Sequence, residues 1–111
     1  ILEAKKIAGM AEAHYAQMAP HLYAGPIEAA ANIQIATCSP NFLIQESIQT
    51  FDGFYSDILK KPIQWQDGYI IPPTDPGIGF ELNEDVADAN PYTENQVFPP
   101  MVDKPYVPEL D

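Results

Sequence analysis

Arginine is absent from these 111 residues, and the five basic side chains are all lysine. Sixteen Asp and Glu stand against them, for a formal charge of −11. A chain this acidic is repelled by phosphate backbones and by anionic lipid, so neither nucleic acid nor a membrane surface is an expected partner. Cysteine is nearly as scarce. Cys38 stands alone, which excludes an internal disulfide framework and any multi-cysteine metal site. Lying among Ala, Ile and Thr at the end of a helical pattern, it reads as a buried structural thiol. No window holds the ~18–20 apolar residues that span a bilayer, and no basic segment leads an apolar run at the N-terminus. These absences fit a cytoplasmic protein. The HExxH, CxxC, GxGxxG and GxxxxGK[ST] patterns are missing too, so the commonest zinc, dinucleotide and P-loop chemistries lack support. Ile1 in place of Met fits a fragment or a processed chain.

What is present divides into two halves. At 46% apolar residues the chain has the content of one small domain with a modest core. The first fifty residues are rich in Ala and Ile, whereas the remainder carries nine of the twelve prolines, and residues 82–111 hold seven of the sixteen acids. Residues 2–13 read as a helix, with Ala4, Ile7, Ala8 and Ala11 at i, i+3, i+4 and i+7. Residues 15–20 form a short apolar run closed by Pro20 and His21, which reads as a buried strand. Gly25-Pro26 opens a second helix, since a proline near N1 lacks only an N–H that would find no partner there. Its predicted buried face is Ile27, Ala30, Ala31, Ile35 and Cys38. Pro40 stops it, and residues 41–45 form the next apolar run, ending at Glu46.

Helix, strand, helix, strand, with a crossover of about twenty residues between the strands, fits a right-handed parallel βαβ unit and not a hairpin. Parallel strands are stable only when both faces of the sheet are covered, and one βαβ unit cannot cover them. The pattern therefore asks for more sheet than these residues hold. Further on, residues 63–65 and 69–71 flank Gln66-Asp67-Gly68, where Asp-Gly marks a tight turn. Pro72-Pro73 and Pro76-Gly77 punctuate a loop. Asn83 is positioned to cap a short helix running to about Ala89 and bounded by Pro91. Residues 92–111 read as an extended, Pro-rich acidic tail.

His21 and Glu46 occupy equivalent places, each directly after a strand-like run. In a parallel sheet those ends share one edge, with strands about 4.8 Å apart, so both side chains could reach one pocket. A histidine beside a carboxylate is acid–base equipment. It is equally the composition of a satisfied loop histidine beside a solvated glutamate, and the sequence leaves both open. His14 lies where the first helix ends and suits a helix-dipole or simply exposed role. Phe54, Trp65 and Tyr69 read as loop-packing aromatics or as pocket lining. Glu81, Glu84, Asp85 and Asp88 have no EF-hand spacing and read as a solvated helix start.

The wording of the chain adds a resemblance over residues 1–91. Ala19-Pro20-His21, then Gly25-Pro26-Ile27 with an Ala-rich helix, then Pro40-Asn41-Phe42-Leu43-Ile44-Gln45-Glu46 resembles the end of the barrel in the enolase superfamily. Asp67-Gly68-Tyr69, Pro72, Pro76-Gly77-Ile78-Gly79 and Glu81-Leu82-Asn83-Glu84 are similar to the segment after the last barrel strand in those enzymes. The nearest likeness is to the mandelate racemase subgroup and its galactonate dehydratase-like members. The resemblance implies an α/β fold, the last two strands of a (β/α)₈ barrel with flanking helices. Residues 1–91 would be barrel and residues 92–111 a tail. It implies that His21 is the catalytic histidine, paired with an Asp on an earlier strand, and that Glu46 hydrogen-bonds the substrate carboxylate as it becomes an enediolate. It further implies a sugar-acid substrate, Mg²⁺ held by carboxylates upstream of this chain, a capping domain, and a homo-oligomer when intact. A racemase or epimerase of the same subgroup is the alternative, and a non-catalytic acidic interaction module a second one.

Overall fold

A computed structural model of the chain describes residues 1–47 and 51–93. Helix α1 (Leu2–Ala13) forms over the predicted span, with Ala8 buried. Ala4 and Ala11 are half-buried while Ile7 stays 54% exposed, so only part of the expected stripe finds a partner. The helix closes in a Schellman motif: the Tyr15 N–H bonds the Glu12 carbonyl at 2.9 Å and the Ala16 N–H bonds that of Ala11 at 2.9 Å. Tyr15 takes the left-handed position this requires, with φ 58.

That cap corrects the strand expected over residues 15–20. Tyr15 is 98% exposed, and pairing is confined to a single parallel bridge, Met18 with Phe42. The Met18 N–H donates to the Asn41 carbonyl and the Leu43 N–H to the Met18 carbonyl, both at 2.8 Å. The next donor along the ladder would be residue 20, a proline with no N–H, so the ladder stops there. The Gln45 side chain instead donates to the Pro20 carbonyl at 3.0 Å. The parallel sense is as the sequence predicts; the two strands are reduced to one bridge. Leu43 and Ile44, neighbours on extended chain and hence on opposite faces, are 59% and 62% exposed. Neither face is more than partly covered by the described residues.

Helix α2 (Pro26–Cys38) begins as predicted, with Gly25 at the N-cap and Pro26 in the first turn. Its buried face keeps Ala30 and Ile35 from the predicted one and otherwise differs. Ala29, Ala30 and Ile33 are buried, whereas Ile27 is 52% exposed and Cys38 is exposed. Apolar residues occur on both sides of this helix, so periodicity alone does not choose between them. The choice is made by Leu22, Phe51, Leu59 and Ile63, which gather with Ala29 and Ile33 into the core. Cys38 is thus a surface thiol and not a core one. Its carbonyl accepts a hydrogen bond from Lys5 Nζ at 2.6 Å, which ties α2 to α1.

The second half is organised by a hairpin. β1 (Gln64–Gln66) and β2 (Tyr69–Ile71) pair antiparallel with Trp65 opposite Ile70. Asp67 and Gly68 both have positive φ, 52 and 82, as a type I′ turn demands. Ile63, expected in the strand, is instead buried in the core. A one-turn helix that the sequence did not announce, α3 (Phe54–Asp57), precedes it, and α4 (Glu84–Ala89) follows Asn83. The Asn83 side chain does not cap α4; its amide donates to the Asp57 carbonyl at 3.2 Å. Lys60 pairs with Glu81, and Lys61 with Asp75 at 2.7 Å. Hydrogen bonding to those carboxylates raises both lysine pKa values above their ordinary range. The pairs are exposed, so water and salt screen them and they add little to stability.

Two glycines make a test of backbone strain. Gly79 has φ 77, and a Cβ there would lie 2.3 Å from Pro73 Cγ; Gly9, inside α1, has nothing within 4 Å of a Cβ. Gly79→Ala is expected to destabilise by about 1–2 kcal/mol or more, and Gly9→Ala to stabilise by up to about 1 kcal/mol. Urea unfolding of the two variants measures this. Shifts of the same sign would refute the strain assigned to Gly79.

Candidate active site

His21 and Glu46 lie three and four residues beyond the bridged pair Met18 and Phe42, so the parallel arrangement carries both to the same end. Leu22, only 1% exposed, anchors the chain in the core directly after His21. Its neighbour on extended backbone is thereby turned outward. His21 Nδ1 meets Glu46 Oε2 at 2.6 Å, and the Leu22 N–H donates to the same carboxylate oxygen at 3.3 Å. The peptide that supplies this N–H is held at its other end: the Asn32 amide of α2 donates to the His21 carbonyl at 2.9 Å. Gln45 secures the preceding carbonyl, that of Pro20. The Tyr23 ring lies parallel to the His21 ring, 6.4 Å between centroids and 1° between planes.

His21 and Glu46 side chains are 73% and 47% exposed, and an ion pair so open adds only about 0–1 kcal/mol to stability. Within these residues the pair is solvent-accessible and contributes little to stability. A 2.6 Å contact between an imidazole nitrogen and a carboxylate oxygen requires a proton on one of them. With Nδ1 engaged, Nε2 is the nitrogen left to address a substrate.

The other predicted candidates lie elsewhere. His14 is the C-cap of α1. Glu84, Asp85 and Asp88 are exposed on α4, and Glu81 is committed to Lys60. Among the described residues no group of three or more His, Cys, Asp or Glu side chains is placed to hold a metal ion. Trp65 and Tyr69 line a cleft of about 620 Å³ between α2 and the hairpin, with Ile33, Leu43 and Pro72. Neither His21 nor Glu46 lines it, and its one ionisable acid is Asp67. The cleft and the His21–Glu46 pair are thus separate features of the described residues. Phe54 packs against Tyr55, ring centroids 5.8 Å apart. No described helix is long and apolar enough to cross a membrane. Asn32 and Tyr23 are not singled out by any sequence pattern, and Gln45 is given no role of its own within the run 40–46. Only Asn32 carries a usable signal, a lone amide inside an Ala- and Ile-rich helix, where burial obliges it to find a partner.

A parallel bridge joined through a helix, with polar groups gathered beyond it, is compatible with a segment of an α/β barrel. The chain belongs to the enolase C-terminal domain-like family, which it matches over residues 1–86. A solved structure from Labrenzia alexandrii, assigned to the mandelate racemase/muconate lactonizing enzymes, is 67% identical with a TM-score of 0.81. The match covers 86% of this chain and 24% of that one. The D-galactonate dehydratase of Xanthomonas campestris is 39% identical over 100 residues, 82% of this chain and 26% of the relative. The D-xylonate dehydratase of Haloferax volcanii is 32% identical over 88 residues, 79% and 21% respectively. The chain thus spans about a quarter of the length of the relatives it matches.

Proposed function

We propose that this chain is the closing part of the barrel of a sugar-acid dehydratase, and that His21 and Glu46 are catalytic. The observation that carries this reading is the 2.6 Å His21–Glu46 contact at the common end of the parallel pair. The dehydratases of galactonate and xylonate among the relatives support the substrate class. The reaction would begin when a base on a strand outside this segment takes the proton from the carbon next to a carboxylate. That carbon acid is too weak for a side-chain base unless the charge moving onto the carboxylate oxygens is held. Glu46, when it carries a proton on Oε1, would donate a hydrogen bond to one of those oxygens, with Oε2 held by Leu22 N–H and His21 Nδ1. His21 then delivers a proton from Nε2 to the hydroxyl leaving the neighbouring carbon, and the resulting enol becomes a 2-keto-3-deoxy acid.

The Mg²⁺ that this family reading entails would be bound by carboxylates outside this segment, and the remaining strands and the capping domain would complete the pocket. The intact protein would be a homo-oligomer. A racemase or epimerase of the same family is the second reading; the 67% identical relative carries only the family's joint description and does not choose between the two. Such a racemase would use His21 to exchange a proton on one face of the same carbon. The full-length protein, assayed on galactonate, xylonate and related aldonates, is expected to release keto acid from at least one. Deuterium incorporation next to the carboxylate without loss of water would favour the racemase. Turnover by residues 1–111 alone would overturn both.

A further inference from the structure

We infer that Asn32 is a positioning residue of the active site, acting through the peptide between His21 and Leu22. The inference rests on the assignment of His21 and Glu46 as the catalytic pair. Asn32 is only 9% exposed, inside α2, and a buried amide there needs a reason. Its Nδ2 donates to the His21 carbonyl at 2.9 Å. The nitrogen of that same peptide unit, Leu22 N, donates to Glu46 Oε2 at 3.3 Å. A peptide group is planar, so fixing its oxygen fixes the direction of its N–H. Donation to the carbonyl also polarises the unit and strengthens the N–H as a donor.

The consequence reaches both members of the pair. Glu46 Oε2 takes one contact from Leu22 N–H and one from His21 Nδ1, so the peptide locates the carboxylate and the carboxylate locates the imidazole. The Asn32 hydrogen bond goes to the peptide and not to either side chain. It governs them from the helix after the first extended segment, which couples the packing of α2 to the site. Leu22, at 1% exposure, holds the same peptide from the core side. Between a buried leucine and a buried amide, the unit has little freedom to rotate.

The test uses the full-length enzyme and the variants Asn32→Leu and Asn32→Ala, alone and with Glu46→Leu. Leucine keeps the volume and removes the donor. Alanine removes the donor but leaves space for a water to bond the His21 carbonyl. For Asn32→Leu, kcat is expected to fall about 10- to 100-fold with KM within about twofold, as misplacement of a reacting group predicts. Asn32→Ala should recover part of that loss. In the Glu46→Leu background Asn32→Leu should cost much less, because residues acting through one another are not additive. A purely structural role would lower the unfolding midpoint and multiply through unchanged in the double variant, which overturns the proposal. Full turnover by a folded Asn32→Leu, with Glu46→Leu impaired, also overturns it. Should Glu46→Leu itself turn over normally, the catalytic pair falls and this inference with it.

Discussion

His21→Asn in the full-length enzyme is expected to lower kcat by about 10²- to 10⁴-fold, the range that a positioned proton donor supplies. The fold should not notice. His21 is 73% exposed at its side chain, and the groups that hold its backbone, Asn32 on the carbonyl and Leu22 in the core, are untouched by the substitution. Asparagine also keeps a nitrogen donor near the position of Nδ1, so the contact to Glu46 can persist while Nε2 is lost. That separates the two ring nitrogens: a large loss of turnover with the Glu46 contact retained assigns the chemistry to Nε2. Circular dichroism and the unfolding midpoint serve as the fold control. Near-normal turnover on every accepted aldonate would remove His21 from the mechanism.

The dependence on substrate sharpens this. If His21 delivers its proton to a leaving hydroxyl, a substrate analogue whose leaving group departs without protonation, such as fluoride, should suffer far less from His21→Asn than the aldonate does. Equal losses on both would place His21 at the carbon acid instead, as the racemase reading has it.

Much of this site is legible in the chain because it rests on local rules. Gly25-Pro26 starts a helix whatever surrounds it, Asp67-Gly68 makes a type I′ turn, and two apolar runs each ending in a polar group bring His21 and Glu46 to one edge once the crossover is parallel. The illegible features depend on distant residues or on caps. The strand expected over residues 15–20 does not form, because Tyr15 closes a Schellman motif and Pro20 has no N–H to continue the ladder. α2 buries Ala30 and Ile35 as its periodicity predicts, but also Ala29 and Ile33, because Leu22, Phe51, Leu59 and Ile63 gather against them from elsewhere in the sequence. Cys38, expected in the core, lies at the surface. The expected tail, residues 92–111, lies outside the described residues apart from its first two.

Glu46 should separate charge from hydrogen bonding. Glu46→Leu is expected to cost about 10²- to 10³-fold in kcat, the size of effect seen when one group stabilising a developing oxyanion is removed. Glu46→Gln should cost less, about tenfold. Its side-chain oxygen can still accept the Leu22 N–H that now reaches Oε2, and its NH₂ can donate where Oε1, which carries neither the Leu22 nor the His21 contact, stands now. Stability should barely change in either variant, since a pair exposed to this degree contributes about 0–1 kcal/mol. The ratio of the two losses carries the mechanism. A mild glutamine and a severe leucine mean that Glu46 holds the enediolate oxygen by a hydrogen bond. Equal, severe losses mean that Glu46 must exchange a proton with His21, which an amide cannot do. If leucine turns over like glutamate, the contact at the strand ends is incidental, and catalysis by this family segment rests on residues other than Glu46.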